Sequence, residues 1–193
     1  LRQEYFRGVG PRLSGAGERV HTIKVSALGG VEVRAKQLAQ AVAAIDAKRV
    51  NIVAHSMGGL DARFAISRLG LAKKVASLTT IGTPHAGTPL ADLGTSLGSF
   101  LGLKKAFDAL GIDVDALYDV TTASMAAFNR EVTDAKGVSY GSVIARVGAL
   151  AQLNPLLVAP WLFLNEKAGD NDGIVSAQSQ SWGEVLQRID ADH

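Results

Sequence analysis

The stretch Arg49-Val50-Asn51-Ile52-Val53-Ala54-His55-Ser56-Met57-Gly58-Gly59-Leu60 decides how the chain is read. Its first half is a short run rich in β-branched residues, the composition of a buried strand. Beyond it Leu60, Phe64, Ala65 and Leu69 recur at the spacing of one helical face. Ser56 therefore falls where a strand stops and a helix starts. A serine held in so sharp a turn needs small residues two positions before and two after it, because larger side chains would collide there. Ala54 and Gly58 meet that need. The pattern small-x-Ser-x-Gly is weak alone, and most serines ahead of an apolar helix are plain N-caps. The flanking strand and helix are what turn Ser56 into a candidate nucleophile.

Outward from this stretch the chain alternates strand and helix. Residues 20–25 (Val-His-Thr-Ile-Lys-Val) read as a strand, and 33–47 as a helix with Leu38, Ala41, Val42 and Ile45 inward. The helix after Ser56 ends near Gly70, 75–81 is the next strand, and 138–147 resumes the pattern. Strands separated by helices of this length form a parallel sheet covered on both faces, and ligands collect at the carboxyl ends of its strands. Ser56 and the segment Gly82-Thr83-Pro84-His85 both stand at such ends. The segment around Ser56 resembles the nucleophile elbow of α/β-hydrolases, and the fold this resemblance implies is α/β, in a single domain over 1–193, with the region at about 90–130 as a candidate helical cap between nucleophile and acid.

Composition excludes several classes. With 193 residues and 47% hydrophobic content the chain can bury a sizeable core. Lys and Arg number 20 against 18 Asp and Glu, and no basic run is interleaved with aromatics, so nucleic acid is not an expected partner. There is no cysteine, hence no disulfide or thiol chemistry. No apolar run has membrane-spanning length, and Leu1 onward lacks the pattern of a signal peptide.

A serine nucleophile needs a base to take its proton and a carboxylate to orient that base, in α/β-hydrolases in the order serine, acid, histidine. Of four histidines only His193 follows every candidate acid. His21 lies in an early strand. His55, one residue before Ser56 on an extended strand, should point away from it as a packed residue. His85 comes too early for the base but is placed at the mouth of the site. For the acid, the loop Asp170-Asn171-Asp172-Gly173 offers two carboxylates, Asp170 and Asp172. Asp113, Asp115 and Asp119 fall in the cap region and read as solvated. In that region Leu93, Leu97, Phe100, Leu101 and Phe107 form a glycine-interrupted helical stripe, open to two readings: ordinary packed helix, or a cap over an apolar site whose Leu93, Leu97, Phe100 and Leu101 meet acyl chains.

Several segments together carry a resemblance: Tyr5-Phe6, Val31-Glu32-Val33-Arg34 with Gln37-Leu38, residues 50–59, Gly82-Thr83-Pro84-His85 with Gly87-Thr88, and Asn171-Asp172-Gly173-Ile174-Val175. Over essentially its whole length the chain resembles bacterial lipases of the Pseudomonas and Burkholderia type, within the triacylglycerol lipase family. The resemblance implies Ser56 as nucleophile, Asp172 rather than Asp170 as acid, and His193 as base. It implies hydrolysis of long-chain acylglycerols at lipid interfaces through an acyl-enzyme, without a cofactor and without stable insertion into a membrane. Secretion and a folding chaperone as partner are further implications. The backbone N–H of Met57 would be one oxyanion donor.

Three departures accompany the resemblance. The family's first central strand, whose His-Gly turn supplies the other donor, would lie upstream of Leu1, and the residues supporting the base would lie beyond His193, so the chain is expected to be a fragment. Asn154 stands where calcium-binding members carry aspartate, so no metal is expected. Gln178 stands near the position of a family cysteine. Two alternatives stay open: an esterase for another lipid ester, such as a phospholipid or acylated glycan, and a non-catalytic relative that binds lipid or protein.

Overall fold

The computed structural model describes residues 6, 8–26, 29–96 and 114–193. Its sheet has four parallel strands in the order β1-β2-β3-β4: β1 (Val50–His55), β2 (Val75–Ile81), β3 (Ser139–Arg146) and β4 (Glu184–Asp190). The helices are α1 (Val9–Gly15), α2 (Val31–Ala43), α3 (Met57–Arg68), α4 (Pro89–Ser96), α5 (Val114–Asp119), α6 (Thr122–Glu131) and α7 (Val158–Ala168). Helices flank a parallel sheet as the alternation predicts, and α4, α5 and α6 all lie between β2 and β3, where the cap is expected.

Among the described residues two clusters make the core. One packs α2 through Ala35, Leu38 and Val42 against Ala62, Ala65 and Ile66 of α3, over Val75 and Leu78 of β2. Ile52 and Ala54 of β1 join it, whereas Asn51 and Val53, turned to the other face by the strand's alternation, stay exposed. The second cluster brings Met57 and Leu60 at the start of α3 together with Leu90 of α4, Leu117 of α5, Met125 of α6, Leu164 of α7 and Ile174. Ser56 lies at the N-cap of α3, beside this second core.

Some expectations need correction. Residues 20–25 are irregular rather than a strand, since no ladder partner stands beside them among the described residues. Ile23 and Val25 nevertheless pack against the α2–α3 core. The helix expected from Val33 to Ala47 runs from Val31 to Ala43. Trp161 to Leu164 belong to α7. Asp119, expected to be solvated, is half-buried: its carboxylate accepts the Val31 amide at 2.7 Å and so caps α2 from 88 residues away. At Gly30 a Cβ would strike that carboxylate, so a side chain there would displace the cap. Leu97, Phe100, Leu101, Phe107 and Asp113 lie outside the described residues, while Leu93 packs against the second core.

Candidate active site

The site is built from three strand ends. Between β1 and α3, Ser56 adopts φ 51°, ψ −133°, and it is the only non-glycine residue with positive φ among those described. Such a conformation costs on the order of 1–3 kcal/mol and persists only where the surroundings hold it. They do so here through the Ser56 amide, which donates to Ile81 O at 2.9 Å, and the Ser56 carbonyl, which accepts the Thr83 hydroxyl at 2.8 Å. Of the neighbouring glycines, Gly59 is the constrained one: a Cβ there would collide with Thr83 and Thr80. At Gly58 an added Cβ would merely touch Ala54 at 3.8 Å. Close packing of α3 on β2 thus accounts for the second glycine, which the small-residue rule leaves unexplained.

Asp172 arises from the loop after α7. Its Oδ1 accepts the amides of Ile174 at 2.9 Å and Val175 at 2.7 Å, and its Oδ2 faces Gln180 Nε2 at 3.2 Å. Gly173, at φ 98°, permits this turn. His193 follows β4, with the Ala191 amide still bonded to Arg146 O and the His193 amide to Asp172 O. Its Nδ1 stands 2.8 Å from Asp172 Oδ2 and its Nε2 2.9 Å from Ser56 Oγ. A neutral imidazole satisfies both contacts by donating from Nδ1 to the carboxylate and accepting the serine proton at Nε2. Ser56, His193 and Asp172 therefore form one continuous hydrogen-bonded chain, with the His193 and Asp172 side chains buried. Gly82, at φ 60°, passes close by, and a Cβ would lie 3.3 Å from Asp172 Oδ2. Met57 opens α3, so its amide is among the helix's unpaired first-turn donors.

Asp170, the competing acid, is instead a surface residue paired with Arg146 at 2.7 Å. His85 corrects the sequence reading: only 1% exposed, it lies beneath the site rather than at its mouth. There Arg63 Nη1 donates to its Nδ1 at 3.3 Å, its Nε2 donates to Thr80 Oγ1 at 3.0 Å, and Asn129 Nδ2 donates to its carbonyl at 2.7 Å. Burial, reinforced by the Arg63 charge, holds the His85 imidazole well below its ordinary protonation range. His55 also differs from expectation. It is packed, but against His193, with ring centroids 4.8 Å apart, because the Ser56 turn ends the strand alternation from which an outward direction was read. Burial lowers its pKa to about 4, with the His193 charge a lesser cause and Asp172 opposing. Asn154 caps the short 3-10 helix Pro155–Leu157 by accepting the Leu156 amide. Gln180 escaped the sequence reading, with no local pattern to mark it, and Thr83, noted only as part of the segment Gly82-Thr83-Pro84-His85, has its role in holding Ser56 from the fold.

A parallel sheet carrying a strained serine at one strand end, bonded to a histidine beyond another strand and through it to a loop carboxylate, defines an α/β-hydrolase. Residues 31–151 match the family model described as PGAP1-like alpha/beta domain. The chain is 35% identical over 206 residues to triacylglycerol lipase 2 of Saccharomyces cerevisiae, matching along 100% of its own length and 62% of that protein. It is 40% identical to the triacylglycerol lipase of Vibrio cholerae, covering 95% of this chain and 70% of the relative. Among solved structures, the mature Bacillus licheniformis lipase BlEst2 superposes with a TM-score of 0.73 at 26% identity, over 85% of this chain and 67% of that one. The chain belongs to the lipase family of α/β-hydrolases.

Proposed function

We propose that the protein is a serine carboxylic-ester hydrolase, in the finer reading a triacylglycerol lipase of the type found in Pseudomonas and Burkholderia. The observation that carries this is the hydrogen-bonded chain from Ser56 Oγ through His193 to Asp172, set on a serine with φ 51°. In the proposed reaction Ser56 Oγ attacks the ester carbonyl while His193 Nε2 takes its proton. Asp172 holds the imidazole by Nδ1 and stabilises its cation. The Met57 amide at the start of α3 donates to the developing oxyanion, an interaction whose loss elsewhere costs on the order of 3 kcal/mol. His193 then protonates the leaving alcohol, and water, activated by the same imidazole, releases the acid from the acyl-enzyme. The names of the yeast and Vibrio relatives support an acylglycerol as substrate.

The test is covalent labelling. A serine-directed phosphonate should modify Ser56 stoichiometrically, and Ser56→Ala should abolish both labelling and ester hydrolysis. Labelling at another serine, or hydrolysis surviving the substitution, would refute the assignment. A panel of emulsified triacylglycerol, phospholipid vesicles and a short dissolved ester then distinguishes a lipase from an esterase with the same serine. Preference for the dissolved ester would replace the finer reading and leave the coarser one.

A further inference from the structure

Asp172 has a second side-chain neighbour besides His193. Gln180, 1% exposed, lies against β3 just beyond the place where β2 stops. The last paired residues of those strands are Ile81 and Val143, and the Val143 carbonyl still receives the Gly82 amide. Two residues on, Ala145 presents its amide and carbonyl to the same side, where β2 is no longer present to meet them. The Gln180 carboxamide takes the place of the missing strand. Its Oε1 accepts the Ala145 amide at 2.7 Å and its Nε2 donates to the Ala145 carbonyl at 2.9 Å.

This pairing fixes the direction of the amide. Oε1 must face the Ala145 N–H, so Nε2 alone can face the acid loop. There Nε2 stands 3.0 Å from the Val175 carbonyl and 3.2 Å from Asp172 Oδ2, the oxygen that also receives His193. Its two hydrogens are shared among three acceptors. We infer that Gln180 is the positioning residue of the acid: a carboxamide locked onto the end of β3 that can only donate to Asp172, holding the carboxylate in the rotamer that meets His193. The inference rests on the Ser56–His193–Asp172 reading. Its physical content is that a buried carboxylate accepting a fixed donor is held in place.

Two substitutions test it, alongside Asp172→Asn as control. Gln180→Met keeps the volume and removes the donor. It should lower kcat roughly 10- to 100-fold, the range for losing a hydrogen bond to a charged group, with KM changed less than about 3-fold. Gln180→Glu keeps the acceptor for Ala145 and so preserves the sheet contact. While protonated, its carboxyl can donate to Asp172 as the amide does; once ionised, it opposes Asp172 and two carbonyls. The ratio of its kcat to that of the wild type should therefore fall progressively as pH rises, with thermal unfolding followed at each pH to keep the folded fraction known. A role confined to folding would not produce that slope in kcat at constant KM. A folded Gln180→Met with kcat within about 2-fold of wild type, or a flat kcat ratio for Gln180→Glu across pH, would overturn the assignment. Should Gln180→Met not fold, the glutamate variant alone decides. If Gln180 variants are inert while Asp172→Asn is inactive, only this inference fails; if Asp172→Asn is itself fully active, the triad reading fails with it.

Discussion

At the residue scale the two loop aspartates differ in what surrounds them, though the sequence presents them as near equivalents. Asp172 is fully buried and receives two backbone amides, a side-chain amide and the His193 ring, whereas Asp170 reaches only Arg146 in solvent. Asp172→Asn should reduce kcat by about 10³- to 10⁴-fold, because an amide there favours the wrong imidazole tautomer. Asp170→Asn loses an exposed ion pair and should change stability by less than about 1 kcal/mol and turnover hardly at all. Steady-state kinetics on the two variants settle the ranking, and a reversed order would transfer the acid role to Asp170. Gly59 makes a stricter prediction about packing. Gly59→Ala forces a methyl into Thr83, whose hydroxyl holds the Ser56 carbonyl, so stability should drop by about 1–3 kcal/mol and the strained turn should loosen. Gly58→Ala, with ordinary contact at 3.8 Å, should be milder in urea unfolding.

Elements were legible in proportion to how local their determinants are. Strand β2 stands at the residues its β-branched run marks, and Ser56 sits at the junction its flanks require, because both readings depend on neighbours in sequence. Helix α3 shows where that logic ends. Asp61 and Arg63 are charged and, two positions apart, lie on different sides of the helix, yet both are buried, since α3 is covered by α2, the sheet and α6 at once. Arg63 lies over the Trp182 ring at 3.5 Å and the Phe128 ring at 5.2 Å, and it donates to Asn129 Oδ1 and Val132 O. Burial pulls its pKa down to about 10 against the raising influence of Asp134 and Tyr140. Residues 65 to 119 positions away meet there, which no window of sequence displays. The same applies to Gln180 and to the Asp119 cap of α2, while the misread strand at 20–25 had composition without a partner. Arg63 should therefore behave as a clamp between elements. Arg63→Lys removes the planar fork and its stacking, so unfolding in urea should show a loss of roughly 2–4 kcal/mol. Lys36→Ala, which breaks only the exposed i,i+4 pair with Glu32, should cost about 0.5 kcal/mol or less. Equal effects of the two substitutions would mean that the stacked, multiply donating guanidinium is not what ties α3 to α6.

For the whole molecule, buried ionisable groups set an acid response in which opposing terms compete. His55 titrates at 6.5 when unfolded and about 4 when folded. As pH falls through that interval the unfolded chain takes up a proton the folded one refuses, so stability is lost, by up to about 3 kcal/mol once pH is below 4. His85 acts in the same direction, its folded form being held neutral by burial and Arg63. Asp61 works the other way. Although Arg34 Nε stands 3.0 Å from its Oδ2, desolvation outweighs the pairing and raises its pKa from 3.8 to about 6, and its Oδ1 has no hydrogen-bond partner. Between pH 6 and 3.8 the folded protein therefore binds a proton first and gains up to about 3 kcal/mol, a contribution present at low pH and lost as pH rises through 6. The two histidines outnumber the one acid, so wild-type stability should decline from pH 6.5 to 4, but shallowly. Asp61→Asn supplies the neutral form permanently. At pH 8 it should be tolerated to within about 1 kcal/mol, since the charge it removes is the one folding disfavours. Below pH 6 it should fall more steeply than the wild type, because the compensating proton uptake is gone. Urea unfolding midpoints at pH 8, 6 and 4.5 measure this directly: curves that run parallel for wild type and Asp61→Asn would show that Asp61 is not the group opposing the histidines.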